Sequence, residues 1–270
     1  MPFKRILVTG AAGKVARSVR PQLSALCQEL RLTDIVPIEV SGPNQNTVMA
    51  DLADAAAVPA LVEGVDAIVH FAGFPREAPW SVLLDANIRA VINLWEAAAA
   101  ASVQRILYAS SNHAVGYYPR SAKIDARVPT RPDGRYGATK AFMEAVAQLY
   151  ADKNGVRAFG MRIGYCGPEP LDKRMLSHWL HPDDLAQLIE VGLTADYHHE
   201  IVYGVSANNA TWYDNSRAEA LGYHPLHSAD AFAAALAAKV TDNPVAERYQ
   251  GGSFAADGHI GDPERPARAG

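Results

Sequence analysis

Tyr136-Gly137-Ala138-Thr139-Lys140 places a phenol and an ammonium four residues apart. On a helix, positions i and i+4 share one face. A phenol is a poor base near neutrality because its ordinary pKa is about 10, and a neighbouring cation favours the phenolate. The pair therefore suits a general base that removes a hydroxyl proton during hydride transfer. Most pairs at this spacing are instead an amphipathic face with a solvated lysine, so the spacing needs company. Ser110-Ser111-Asn112-His113 supplies it after an apolar run. A serine hydroxyl there could hydrogen-bond the reacting oxygen, although Ser and Asn are also ordinary turn formers.

A second constellation opens the chain. Thr9-Gly10-Ala11-Ala12-Gly13-Lys14-Val15-Ala16 follows Ile6-Leu7-Val8. Gly10 can take a tight turn, and Gly13 lets backbone donors approach a pyrophosphate at a helix N-terminus. Ala16 stands where the dinucleotide fingerprint has its third glycine, and alanine is small enough for close helix–strand packing. Asp34 lies near the ~20-residue offset at which a carboxylate meets the adenosine ribose. It would accept from the ribose hydroxyls and repel a 2′-phosphate, which favours NAD over NADP. The competing reading is that Asp34 caps the next turn. Asp51-Leu52 could bracket the adenine, and Asp51 is equally suited as a helix N-cap.

The elements that must hold these groups follow from apolar patterning. Strands are predicted at 3–8, 31–34, 46–50, 66–72, 105–110, 157–163 and 201–205, and helices at 13–30, 80–101 and 136–153. Near-continuous apolar strands separated by helical stretches indicate an α/β fold with a parallel sheet covered on both faces. Right-handed crossovers make it doubly wound, of Rossmann type, with ligands beyond the carboxyl ends of the strands. Residues 1–164 are expected to form mainly the NAD-binding core. Residues 165–270 are expected to form a small C-terminal substrate lobe interleaved with the last strand, the whole being one compact unit. Pro21 predicts a kink or an early end in the first helix, and Pro59 raises the same conflict at 55–63. The tail at 257–270, rich in Gly, Pro and charge, is expected to be loose.

Composition narrows the function classes. The 270 residues carry 25 Lys+Arg, 29 Asp+Glu and a formal charge of −4, which leaves no basic excess for a nucleic-acid backbone. No run approaches the ~18 apolar residues of a membrane span. Cys27 and Cys166 make neither a disulfide framework nor a zinc spacing. His178, His181, Asp183 and Asp184 invite a metal, but Pro182 interrupts the spacing and either acid reads as the N-cap of the next helix; no metal is expected. A soluble, cytoplasmic protein with no nucleic-acid or membrane partner is the expectation. Trp212, Tyr213 and Tyr223 fit either a small hydrophobic lobe or an oligomer surface.

Taken together, Thr9 to Gly13, Asp34, His70-Phe71-Ala72-Gly73, Asn87, Ser110-Ser111 and Tyr136 to Lys140 resemble the extended short-chain dehydrogenase/reductase superfamily over most of the chain. Within it the likeness is to uronate dehydrogenases. That likeness rests on Ser110 to His113 with Gly116-Tyr117-Tyr118-Pro119, Arg131-Pro132-Asp133-Gly134, Arg162-Ile163-Gly164, Arg174-Met175-Leu176-Ser177 and Gln250-Gly251-Gly252. The resemblance implies NAD-dependent oxidation of a sugar acid at its anomeric carbon to a lactone, by a homo-oligomer. It implies Tyr136 as the base, Lys140 lowering its pKa and holding the nicotinamide ribose, and Ser111 positioning the reacting oxygen. Asn112 and His113 would bind sugar hydroxyls, and Arg174 would clamp the carboxylate bidentately. Gly10, Gly13, Lys14, Val15, Asp34, Asp51, Leu52, Phe71, Ala72, Gly73, Asn87, Ile163 and Cys166, with Tyr136 and Lys140, are the implied NAD contacts.

Two residues depart from that pattern. Pro75 and Tyr165 stand where the resemblance places serines that help bind the sugar acid. A lost hydrogen bond to a charged group costs roughly 1.5–3 kcal/mol, so a different sugar acid or a neutral aldose stays open as substrate. A nucleotide-sugar epimerase or dehydratase would share the Tyr/Lys pair. A non-catalytic dinucleotide sensor would need the glycine turn but neither Tyr136 nor Lys140.

Overall fold

The computed structural model describes residues 3–262. The chain begins with β1 (Phe3–Thr9), α1 (Lys14–Leu26), β2 (Cys27–Asp34) and β3 (Gln45–Met49). A short α2 (Val58–Val62) leads to β4 (Ala67–His70). Next come α3 (Trp80–Leu83), a π-helical turn at Leu84–Arg89 and α4 (Ala90–Ala100). β5 (Arg105–Ser111), α5 (Arg135–Asn154) and β6 (Arg157–Ile163) follow. The two-residue strands β7 (Tyr165–Cys166) and β8 (Trp179–Leu180) precede α6 (Pro182–Thr194) and β9 (His199–Gly204). Seven strands form one parallel sheet in the order β3-β2-β1-β4-β5-β6-β9. The order reverses between β1 and β4, and a ligand crevice belongs at that switch point.

Side-chain alternation divides the core in two. Ile6, Val8 and Leu107 pack into a cluster with residues of α1 and α6, while Leu7, Ile106 and Tyr108 pack into another with α2, α4 and α5. Successive residues of a strand point to opposite faces, so strands buried on both sides need unbroken apolar runs. Smaller clusters lie outside the sheet. One joins Val115, Tyr118 and Ile124 to Tyr203, Val205 and Tyr213. Tyr213 and Tyr223 are fully buried, so neither forms a surface.

Three local expectations are corrected. α1 runs through Pro21 and ends at Leu26, four residues early, because Cys27 pairs with Phe3 and Leu30 with Ile6 in the sheet. Pro59 sits in the first turn of α2, where its missing N–H costs nothing. The stretch read as one helix at 80–101 is divided by the π turn, which carries the buried Asn87. No helix among the described residues is long and apolar enough to cross a membrane. The part of the expected loose tail beyond residue 262 lies outside the described residues.

Candidate active site

β1 ends in a turn that only glycine fits. Gly10 has φ +66°, and a Cβ there would lie 2.6 Å from Ala72 N. The β1 and β4 loops therefore touch backbone to backbone. Gly13, the N-cap of α1, has extended geometry. Asp34 Oδ2 accepts from Ala12 N at 3.0 Å, inside the glycine turn, and Oδ1 caps the next turn by accepting from Ile35 N at 2.8 Å. Gly10→Ala is expected to lower the unfolding free energy by about 2 kcal/mol, from left-handed strain plus overlap. Urea denaturation reads this, and a loss below about 0.5 kcal/mol would show that the loop yields.

Lys14 and Cys166 are close enough for the ammonium to act on the thiol, which burial pushes up to about 12. Leu52 has its side chain in the core, and Asp51 Oδ1 caps the turn at Ala53 N. Asn87 is bonded to protein throughout: Oδ1 accepts from Phe74 N, and Nδ2 donates to Phe74 O and Thr139 Oγ1. Thr139 Oγ1 in turn donates to Tyr136 O at 2.7 Å. Asn87 thus ties the β4 loop to the first turns of α5.

Glu77 does the same, and nothing in the sequence announced it. Its carboxylate accepts from Tyr136 N at 2.9 Å and from Arg135 Nε at 2.8 Å, so it caps α5 from a distant loop. An anion at a helix N-terminus meets unpaired N–H groups and the positive end of the dipole.

The structure brings Ser111, Asn112, His113, Tyr136, Lys140 and Arg174 together. Tyr136 and Lys140 are buried on one face of α5, and Lys140 Nζ lies 5.6 Å from the centre of the Tyr136 ring. Nζ donates to Ala109 O at 2.8 Å. Burial pushes the Tyr136 phenol up to about 12, against a hydrogen bond with Ser111 that lowers it. Burial also lowers Lys140 to about 8, against the carboxylate of Glu144. The expected acidification of the phenol by its cationic neighbour is therefore not the net result. The spacing argument counted the charge and omitted the loss of water around both groups.

Asn112 bridges two elements. With its amide turned so that donors meet acceptors, Nδ2 donates to Ile163 O at 3.2 Å and Oδ1 accepts from Arg174 Nη2 at 3.2 Å. Arg174 Nε donates to Gln250 O at 2.8 Å. The guanidinium is half-buried, and burial lowers its pKa. Among the described residues it forms no ion pair with a carboxylate. Asp172 Oδ1, two residues away, accepts from Met175 N.

Pro75 is exposed on the β4 loop. Tyr165 packs against the cluster of Leu176, Trp179, Ala229 and Leu236, and its backbone N donates to His178 Nδ1 at 3.1 Å. His178 was singled out only as a metal ligand. It is 2% exposed, and its Nε2 is buried without a partner.

His181, Asp183 and His227 gather donor atoms within 4.8 Å of one another. The two imidazoles are stacked at 3.6 Å and 17°, so a metal in the plane of one ring cannot lie in the plane of the other. His181 Nδ1 caps α6 at Asp183 N, in place of the expected acid. Asp184 is buried, holding Ser206 and the backbone at 226–227.

A model of the NAD dependent epimerase/dehydratase family matches residues 6–182. This chain belongs to that family. Uronate dehydrogenase from Pseudomonas putida is 46% identical over 262 residues, which are 95% of this chain and 97% of that protein. The crystal structure of uronate dehydrogenase from Agrobacterium tumefaciens has a TM-score of 0.90 at 44% identity, covering 95% of this chain and 98% of the other. Glucuronic acid dehydrogenase from Chromohalobacter salexigens has a TM-score of 0.90 at 42% identity, covering 98% and 100%. The span matched to the epimerase/dehydratase family includes Tyr136 and Arg174 and stops at the start of α6, before Gln250.

Proposed function

We infer that this protein oxidises the anomeric carbon of a hexuronic acid, of galacturonate or glucuronate type, to the aldarolactone with NAD as acceptor. The observation that carries this reading is Arg174, a half-buried guanidinium with no carboxylate partner among the described residues, held by Asn112 and Gln250 beside Ser111 and Tyr136. A desolvated cation lacking an anion is costly, and a sugar carboxylate removes that cost through paired N–H···O bonds.

The glycine turn fits NAD. A Cβ at Gly10 would fill the space between the two loops, and Asp34 Oδ1 and Oδ2 stand at the end of β2 for ribose hydroxyls. Gly13, Lys14 and Val15 line the start of α1; Phe71, Ala72, Gly73, Ile163 and Cys166 edge the crevice. When bound, NAD supplies the hydride acceptor and a positively charged ring that favours the phenolate. Tyr136 takes the proton of the anomeric hydroxyl, Ser111 fixes the reacting oxygen, and Lys140, anchored at Ala109 O, holds positive charge beneath the phenol. Asn112 positions Arg174 and, with a second N–H and a second lone pair on its amide, can also meet a sugar hydroxyl. Asn87 and Glu77 hold the helix that carries Tyr136.

Following NADH formation across galacturonate, glucuronate and neutral aldoses tests the reading. Turnover of a uronic acid with stoichiometric NADH is expected. Turnover of neutral aldoses alone would remove the acid from the claim, and substrate loss without NADH would favour an epimerase. Arg174→Met is expected to raise KM for the acid about 10- to 100-fold, the loss of roughly 1.5–3 kcal/mol of charged hydrogen bonding. An unchanged KM would mean that the carboxylate is held elsewhere.

A further inference from the structure

We infer that Asp133 is a positioning residue for substrate recognition: it holds His113 as the Nδ1–H tautomer, which leaves Nε2 as a hydrogen-bond acceptor for a sugar hydroxyl. The inference rests on the sugar-acid reading of this site and deepens it.

Asp133 Oδ2 lies 2.7 Å from His113 Nδ1, with the Asp133 side chain 0% exposed and that of His113 13% exposed. An ionised carboxylate only accepts hydrogen bonds, so the proton of this contact sits on Nδ1. The ring is packed on two sides, and the Asp133 contact selects the orientation that points Nδ1 at the carboxylate. The ring stacks on Phe254 with centroids 3.9 Å apart at 22°, and meets Tyr136 edge-on at 5.9 Å. His113 N also donates to Ser111 Oγ at 3.2 Å, which couples the pair to the serine beside the reacting oxygen. Among the described residues, Nε2 has no hydrogen-bond partner.

Glycines enclose the carboxylate, and because Oδ1 is buried without a hydrogen-bond partner, His113 Nδ1 is its one side-chain donor among the described residues. A Cβ on Gly116 would lie 1.9 Å from Asp133 Oδ2, and one on Gly251 would lie 1.8 Å from the same oxygen. A Cβ on Gly137 would lie 3.1 Å from Oδ1 and 2.2 Å from His113 O. None of these glycines has a left-handed backbone, so what each supplies is room. Gly251 N donates to Gly116 O at 2.8 Å and Asp133 N to His113 O at 3.3 Å, which closes the box. Three separate stretches of chain thus leave a space that fits one carboxylate aimed at one ring nitrogen.

The direct test is long-range proton–nitrogen correlation on the 15N-labelled protein at pH 8, with His113 assigned by its absence in His113→Gln. A pyrrole-type Nδ1 and a pyridine-type Nε2 are expected. A proton on Nε2, alone or on both nitrogens, overturns the inference without any kinetic measurement. Asp133→Ala is expected to shift His113 toward the Nε2–H form. It should also raise KM for the uronic acid about tenfold, the worth of one hydrogen bond, with NAD affinity and kcat little changed. Gly251→Ala keeps the carboxylate but displaces it, and is expected to give the same spectral and KM changes should the first variant not fold. Folded variants with the wild-type ring spectrum and KM would overturn the inference. A wild-type protein that turns over no uronic acid would sink the substrate reading instead, and the ring spectrum would still judge Asp133.

Discussion

Tyr136→Phe is expected to lower kcat about 10²- to 10⁴-fold, the range a positioned general base contributes, while NAD affinity stays within about twofold of wild type. Phenylalanine keeps the ring that meets His113 and Phe254 edge-on, so packing is preserved and only the proton acceptor is lost. Burial holds the phenol near 12, so the proton leaves it only under positive charge, and once formed the phenolate is a strong base. Stopped-flow NADH formation separates this from a binding defect. Activity within threefold of wild type would remove Tyr136 from the role assigned to it.

The second large effect is on stability. Arg162 Nε and Nη2 each meet a Glu144 oxygen at 2.9 Å, with the two side chains 2% and 4% exposed. Ser110 Oγ donates to the same carboxylate at 2.6 Å. Arg162→Met leaves buried Glu144 with the serine as its hydrogen-bond donor, and removing one partner of such a pair costs about 3–5 kcal/mol. For a chain of this size that is a fall in Tm on the order of 10 °C. Replacing both partners, Glu144→Leu with Arg162→Met, is expected to recover most of the loss, because a neutral pair of similar volume strands no charge. Calorimetry of the three proteins decides it. A single variant as stable as wild type would show that water reaches the carboxylate.

Much of the scaffold was legible because a parallel sheet imposes a simple pattern. β6 was expected at 157–163 and found there, and α5 was expected at 136–153 and found at Arg135–Asn154. Both are elements whose apolar content is settled locally. What escaped were features set by chain segments far apart. Glu77 caps α5 across 59 residues, and no spacing rule reaches that far. Asn112 reads as a sugar ligand, and its link between Ile163 and Arg174 shows only once those residues are placed on either side of it. Nothing local marks a role for Asp133 in Arg131-Pro132-Asp133-Gly134, since the three glycines that enclose it are scattered along the chain. Asn87, which a motif assigned to NAD, is bonded to the β4 loop and to Thr139.

The same distinction explains the phenol. Charge proximity can be read from an i,i+4 spacing, but desolvation depends on everything packed around α5. Here it raises Tyr136 and lowers Lys140 together. The departures at Pro75 and Tyr165 also take their meaning from packing. Tyr165 packs against the cluster of Leu176, Trp179 and Leu236, which no local pattern shows. The unpartnered Nε2 of His178 lies in the segment that pairs with Tyr165.

Hydride transfer from the anomeric carbon to NAD is the claim on which the roles of Tyr136, Ser111 and Arg174 depend. The most direct measurement uses glucuronate and galacturonate carrying deuterium at C1, with the reduced nucleotide analysed by mass spectrometry. One deuterium in each NADH formed, with one lactone released per NADH, is the predicted result. Deuterium retained in a recovered sugar without accumulation of NADH would contradict the account.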